Sequence, residues 1–184
     1  MNRQPKIAVI ISSTRDARFG ARAADWLMGF ARQRSDMDFE LVDLKTFDLP
    51  LFNEKASNLW APSEDPRAIA WQQKIAEFDG YVVVTAEYNH SLTGALKNAF
   101  DQAYVEWKHK PIGFFGYGGV GAARAIEHAR LIAVELHMVP VRTATHIAGG
   151  DFFSGVMKGE PMESIAGHIE GSTTERRDPV AWWA

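Results

Sequence analysis

The sequence contains no cysteine. Disulfide bonds, cysteine-ligated zinc sites and cysteine nucleophiles are therefore excluded for this chain. No apolar run approaches the roughly 18 residues needed to cross a bilayer. The residues before the first strand-like segment also lack the apolar core of a signal peptide. We therefore expect a soluble, cytoplasmic protein with no membrane partner.

Charge of one sign is not in large excess either. Lysine and arginine total 20 against 23 aspartates and glutamates, a formal net charge of −3. Because no basic stripe is present, we expect no nucleic acid partner. The six histidines show no HExxH-like spacing, so we expect no metal site. The nucleophile elbow of serine hydrolases, Gly-x-Ser-x-Gly, is also missing.

What the chain does contain is a regular alternation of strand-like and helix-like segments. Its length of 184 residues and its 46% apolar content suit one globular domain spanning residues 1–184. The apolar runs predict strands at 6–11, 39–44, 81–85, 111–115 and 138–141. The helical spacing of apolar residues predicts helices at 20–34, 66–78, 94–107 and 122–136.

This alternation predicts an α/β fold with a parallel sheet, right-handed crossovers and helices on both faces. Five strands favour a flavodoxin-like three-layer sandwich with the strand order 2-1-3-4-5 over a six-stranded dinucleotide fold. Beyond residue 145 the pattern fades, and we expect 150–184 to be an irregular C-terminal segment. The Trp182-Trp183 pair within it is a candidate subunit contact.

Ligands of such sheets bind beyond the carboxyl ends of the strands, which here means the loops 12–20, 86–93 and 116–121. The first loop combines hydroxyls with Arg15 and Arg18 just before a helix, a pattern that favours a phosphate group. It lacks the glycines and the Lys-Ser/Thr pair of a Walker A loop. The alternative interpretation is a polar turn that only caps the helix.

The other two loops favour a flat ligand. Tyr88 offers an aromatic ring among several backbone donors and acceptors, although an ordinary loop with Thr93 as helix N-cap remains an alternative. The third loop matches Gly-x-Gly-x-x-Gly formally between Gly116 and Gly121. That fingerprint belongs after the first strand, with an acid ending the next one. We therefore interpret it as a tight turn that lets a flat ligand approach.

At these loops the sequence resembles the NADPH-dependent FMN reductase family, which includes quinone and chromate reductases, over roughly residues 5–150. The family motif Gly-Ser-Thr-Arg-x-x-Arg-x-Gly corresponds to Ser12-Ser13-Thr14-Arg15-Asp16-Ala17-Arg18-Phe19-Gly20. The motif Thr-Pro-Glu-Tyr-Asn-x-Ser-x-Pro-Gly-x-Leu-Lys-Asn-Ala corresponds to residues 85–99, beginning Thr85-Ala86-Glu87-Tyr88-Asn89. A Ser-Tyr-Gly-like turn corresponds to Gly116-Tyr117-Gly118-Gly119.

The resemblance implies an FMN-containing oxidoreductase that takes electrons from NADPH or NADH and reduces a small-molecule acceptor such as a quinone, flavin, azo compound or chromate. It implies a homodimer or homotetramer and no catalytic side chain, since the residues are binding residues. By this resemblance the FMN phosphate contacts are Ser13, Arg15, Arg18, Phe19 and Gly20. The ring contacts, mainly through the backbone, are Glu87, Tyr88, Asn89, Tyr117, Gly118 and Gly119.

Three departures from the family pattern stand out. Ser12 replaces a glycine, Ala86 and Thr93 replace prolines, and the long helix expected after the fifth strand is missing from the pattern. Two other functions stay open. One is a flavodoxin-like electron carrier that does not oxidise NAD(P)H, which a net charge of only −3 disfavours because such carriers are usually strongly acidic. The other is a flavin-free protein that binds a phosphorylated ligand.

Overall fold

The computed structural model describes residues 3–166. Its strands are β1 (Lys6–Ile11), β2 (Asp38–Asp43), β3 (Gly80–Ala86), β4 (Pro111–Tyr117) and β5 (Val139–Ile147). They form one parallel sheet in the order β2-β1-β3-β4-β5. The predicted flavodoxin-like strand order is therefore confirmed.

The helices are α1 (Gly20–Ala31), α2 (Pro66–Ala76), α3 (Gly94–Asp101), α4 (Ala123–Glu135), α5 (Gly149–Met157) and α6 (Met162–Ala166), with a 3-10 turn at Leu44–Phe47. Two of the helix starts follow directly from local sequence. The Asp65 carboxylate accepts the Arg67 N–H at 2.8 Å ahead of Pro66, and the Thr93 hydroxyl accepts the Leu96 N–H at 3.2 Å. Both are ordinary N-caps.

The sheet separates two apolar layers. One face packs against α2, α3 and α4 and buries large aromatic rings, including Trp71, Phe100 and Trp107. The opposite face packs against α1 and α6 and buries Trp26 and Phe115. Because both faces are covered, the central strands β1, β3 and β4 are nearly continuous apolar runs, which is why the sequence pattern located them.

The largest differences from the predicted bounds are at the ends of two elements. The third helix stops at Asp101, whereas its pattern continues to Trp107; the chain then turns, yet Trp107 stays 1% exposed. The fifth strand runs to Ile147 and not to 141. It is an edge strand paired only with β4, so its exposed positions carry polar residues and the apolar run ends early in sequence.

Part of the segment predicted to be irregular is helical, since α5 and α6 fall within residues 149–166. Gly149, Gly150 and Gly155 make the intrinsic helix propensity of α5 low. Tertiary contacts stabilise it instead: Phe152 packs on Phe19 with ring centroids 5.5 Å apart, and the Arg22 guanidinium donates to the Gly155 carbonyl at 2.8 Å. The rest of the prediction, including the Trp182-Trp183 contact, lies outside the described residues.

Candidate functional site

The three predicted site loops lie at one edge of the sheet, because β1, β3 and β4 are neighbours and all are parallel. The chain reverses its direction of travel across the sheet between β1 and β3. That crevice is the topological switch point, where ligands of open α/β sheets bind. The topology therefore brings the predicted loops together.

The loop after β1 is held on the sheet by hydrogen bonds. The Ser12 N–H donates to the Val84 carbonyl at 3.1 Å, and its hydroxyl donates to Thr85 Oγ1 at 3.0 Å. Ser13 is 1% exposed, and its hydroxyl lies 3.0 Å from the Tyr88 hydroxyl. The N-cap residue of α1, Phe19, has no side-chain acceptor for the helix N–H groups, so the positive end of this helix suits an anion.

The two arginines of this loop differ in their surroundings. The Arg18 guanidinium pairs with both Asp43 carboxylate oxygens and donates to the Ser13 carbonyl at 2.9 Å. Its charge is thus already compensated, and it braces the loop against the end of β2. Arg15 is exposed and has no hydrogen bond or ion pair with the other residues of the described range 3–166. Among the described residues, Arg15 is therefore the arginine of this loop whose charge is not compensated by an ion pair.

The start of α1 touches an aromatic cluster. The Phe19 ring contacts the rings of Tyr117 and Phe152, with centroids 5.4 and 5.5 Å away, and those two rings also stack on each other. A Cβ atom at Gly20 would fall 2.6 Å from the Tyr117 hydroxyl oxygen. The glycine of the first motif is thus required by the close approach of a phenol, which the sequence pattern did not reveal.

The loop after β3 contains a tight turn. Tyr88 and Ser91 exchange N–H···O bonds of 2.9 and 3.1 Å, while Asn89 and His90 have φ values of 51° and 67°. Two consecutive positive φ values are those of a type I′ turn, and asparagine tolerates them better than most residues.

The Glu87 side chain binds the start of α4. Its carboxylate is 6% exposed, pairs with the Arg124 guanidinium, and accepts the Arg124 N–H at 3.1 Å. Burial disfavours the charged form, but these bonds outweigh it and hold the pKa of Glu87 below its usual value. The carboxylate thereby caps α4, whose own N-cap residue, Ala122, offers no side-chain acceptor.

The glycine-rich turn after β4 is shaped by backbone contacts. Gly118 has a φ of 145°, which favours glycine, and its N–H donates to the Ile147 carbonyl at 3.1 Å. Gly119 is exposed, and a Cβ added there would meet nothing within 4 Å. The Tyr117 side chain points away from this turn toward α1, and burial raises its pKa to about 12.

Two departures from the family pattern are bonded to each other. The Thr93 hydroxyl, besides capping α3, donates to the Ser12 carbonyl at 3.0 Å. The Ser12 hydroxyl separately donates to Thr85 Oγ1. Two buried hydrogen bonds therefore join the first two loops at the positions where the family has glycine and proline.

A pocket of about 410 Å³ opens beside the first loop. Thr14, Leu44, Lys45, Leu49 and Asn98 are among its lining residues. Within the described residues, no group of three or more His, Asp or Glu side chains is arranged to hold a metal ion. No helix in this range is long and apolar enough to span a membrane.

Sequence reasoning missed several residues that shape the site, namely Asp43, Thr85 and Arg124. Asp43 ends β2 at the same sheet edge as the phosphate loop, and a lone acid at a strand end is the one signal that could have indicated it. Arg124 is paired with Glu87, and its guanidinium lies 2.8 Å from His90 Nε2.

The strand order and the anion-receptive first loop define a flavodoxin-like domain. Comparison with known sequences gives the family: its model, described as NADPH-dependent FMN reductase, matches residues 5–152. The chain therefore belongs to the NADPH-dependent FMN reductase family, and the resemblance drawn from the motifs is confirmed.

Individual relatives agree with this assignment. An NAD(P)H-dependent FMN reductase of Nectria sp is 29% identical over 84% of this chain and 82% of its own length. A 2-hydroxy-1,4-benzoquinone reductase of Burkholderia sp is 37% identical over 73% of each chain. Among solved structures, the NAD(P)H:(acceptor) oxidoreductase FerB of Paracoccus denitrificans superposes with a TM-score of 0.71 at 25% identity, covering 97% of this chain and 96% of that one.

The arrangement fits FMN. An uncapped helix N-terminus and the unpaired Arg15 suit a phosphate. The turn at Asn89 and the open face at Gly119 leave backbone groups for a flat ring. The loops that suit the phosphate and the ring both follow the carboxyl ends of the strands, on the same side of the sheet.

Proposed function

We propose that this protein is an NAD(P)H-dependent FMN oxidoreductase that reduces a small organic or inorganic acceptor. Family membership over residues 5–152 is the observation that carries the proposal. The geometry supports it, because the uncapped start of α1 and the two ring-facing turns share the crevice at the switch point.

The binding residues follow from this arrangement. Arg15 provides the charge at the phosphate end, and Arg18 fixes the loop through Asp43. The phosphate contacts we propose are Ser13, Arg15, Arg18, Phe19 and Gly20. The ring contacts we propose, mainly through backbone groups, are Glu87, Tyr88, Asn89, Tyr117, Gly118 and Gly119.

When bound, FMN supplies the two-electron chemistry that links NADPH or NADH to the acceptor. The chain positions the ring, surrounds its phosphate and limits solvent access; no acid–base dyad is required of it. Glu87 is already engaged with Arg124, which suits a positioning function for its backbone more than proton transfer by its carboxylate.

The class of acceptor is proposed from the relatives. Those relatives include a benzoquinone reductase and NADPH azoreductases, so we propose a quinone or an azo compound as acceptor. We also propose a homodimer or homotetramer in the cytoplasm. Light scattering on the purified protein tests the oligomer.

Anaerobic absorption spectroscopy tests the function. The protein is reconstituted with FMN, freed of excess cofactor, and mixed with NADPH or NADH without oxygen. We expect flavin absorption that bleaches with a nicotinamide and returns when a quinone is added. Flavin that stays oxidised with both nicotinamides would indicate an electron carrier, and a protein that rejects FMN would indicate a flavin-free binder of phosphorylated ligands.

Arg15 gives this test a matched pair of variants. Arg15→Ala should weaken FMN binding by about tenfold, the size expected for loss of a hydrogen bond to a charged group. Arg32→Ala removes the same charge at the opposite, exposed end of α1, and FMN binding should then stay at the wild-type level. Equal losses in both variants would mean that Arg15 acts only through net charge.

A further inference from the structure

The backbones of two tyrosines belong to the loops we propose for the flavin ring, but their hydroxyls lie near the loop we propose for the phosphate. Tyr88 belongs to the turn after β3, yet its hydroxyl lies 3.0 Å from Ser13 Oγ. Tyr117 ends β4, yet its hydroxyl oxygen lies so close to the start of α1 that a Cβ at Gly20 would be 2.6 Å away. Three hydroxyls from three neighbouring strand ends therefore converge beside the α1 N-terminus.

The surroundings keep the Tyr117 phenol neutral. The ring is 4% exposed, and burial raises its pKa to about 12, an effect that Ser13 and the Gly20 N–H only partly offset. A neutral phenol retains its proton and can donate it to an anion, and the hydroxyl turns freely about its C–O bond. Bonds from such donors to an ionised acceptor are stronger than those between neutral groups.

Tyr88 acts one step further from the anion. The Tyr88 and Ser13 hydroxyls lie 3.0 Å apart, and whichever of them donates, the bond fixes the position of the Ser13 side chain beside the helix N-terminus, where an anion would lie. Tyr88 is thus a positioning residue for Ser13, whereas Tyr117 is placed to contact the anion itself.

We propose that the phenolic hydroxyls of Tyr88 and Tyr117 are phosphate-recognition groups that make the site discriminate FMN from riboflavin. This inference rests on the proposed function, since it concerns the phosphate end of the same cofactor. It assigns the two side chains to the opposite end of the cofactor from the ring contacts that their backbones provide. Tyr88 and Tyr117 would then contact both ends of FMN, the ring through their backbones and the phosphate end through their hydroxyls.

Flavin titration separates phosphate recognition from a merely structural function. The dissociation constants of FMN and riboflavin are measured by fluorescence for wild type, Tyr88→Phe and Tyr117→Phe. We expect each variant to bind FMN about tenfold more weakly while its riboflavin constant changes by less than about twofold, since only FMN carries the charged acceptor. Tyr104→Phe is the control, because its hydroxyl bonds to the Glu135 carbonyl at 3.2 Å, away from the site loops.

Other outcomes overturn the inference. Equal weakening of FMN and riboflavin would mean that the hydroxyls only hold the loops together, and unchanged FMN binding would mean that they do not meet the phosphate. A variant that fails to fold leaves the other to decide, and both failing would show a structural function. If the wild-type protein binds no FMN, the proposed function fails as well. If the wild-type protein binds FMN but the variants lose affinity for FMN and riboflavin equally, only this inference fails.

Discussion

A substitution at the start of α1 tests the position of the Tyr117 phenol. Gly20→Ala should ordinarily stabilise a helix, because alanine restricts the unfolded chain and gains about 0.4–1 kcal/mol at a compatible site. Here the new Cβ would lie 2.6 Å from the Tyr117 hydroxyl oxygen and 3.2 Å from two ring carbons. The phenol cannot swing away freely, because it is packed against Phe19 and Phe152.

Overpacking of this kind costs about 1–3 kcal/mol. Subtracting the intrinsic gain leaves a net loss of about 1–2 kcal/mol in the free energy of unfolding. Tyr117→Phe removes the oxygen and leaves only the 3.2 Å contacts. In that background Gly20→Ala should be less costly by about 1 kcal/mol, which a double-mutant cycle measures directly.

Urea denaturation of the four proteins is the assay, and α1 supplies its own control. Gly29 lies in the same helix, is exposed, and would place a Cβ in open space. Gly29→Ala should therefore stabilise the protein by up to about 1 kcal/mol. If Gly20→Ala stabilises as much as Gly29→Ala, or if the cycle shows no coupling, the phenol does not lie where we place it.

Two further predictions concern the loops. Because the folded-state pKa of Glu87 lies below its usual 4.5, its clamp on Arg124 stabilises the fold above that value and loses this contribution as the pH falls through the folded pKa. Glu87→Gln should therefore lower the urea midpoint at neutral pH and match wild type in strong acid; a constant difference across pH would contradict this. Thr93→Val removes the α3 cap and the bond to Ser12, at a cost of about 1–2 kcal/mol in urea denaturation. Thr93→Pro, which restores the family residue at a φ of −64°, should cost less because proline fixes that angle.

Much of the architecture was predictable because it is written in local patterns. Strands covered on both faces are apolar runs, so β1, β3 and β4 were found within two residues of their ends. The edge strand β5 was found too short, since only part of it needs apolar residues. Helix α5 was missed because its glycine-rich sequence depends on contacts with α1 and β4 for its stability.

The sequence by itself determined the alternation, the strand order and the three loops, and through their motifs the family. Only the tertiary structure decided what each side chain of those loops does. Arg18 is paired with Asp43, Glu87 caps α4, and Tyr117 reaches α1. The physical reason is the distance along the sequence. Periodicity and capping act over a few residues, whereas these partners are far apart in the sequence and meet only when the sheet places neighbouring strand ends together.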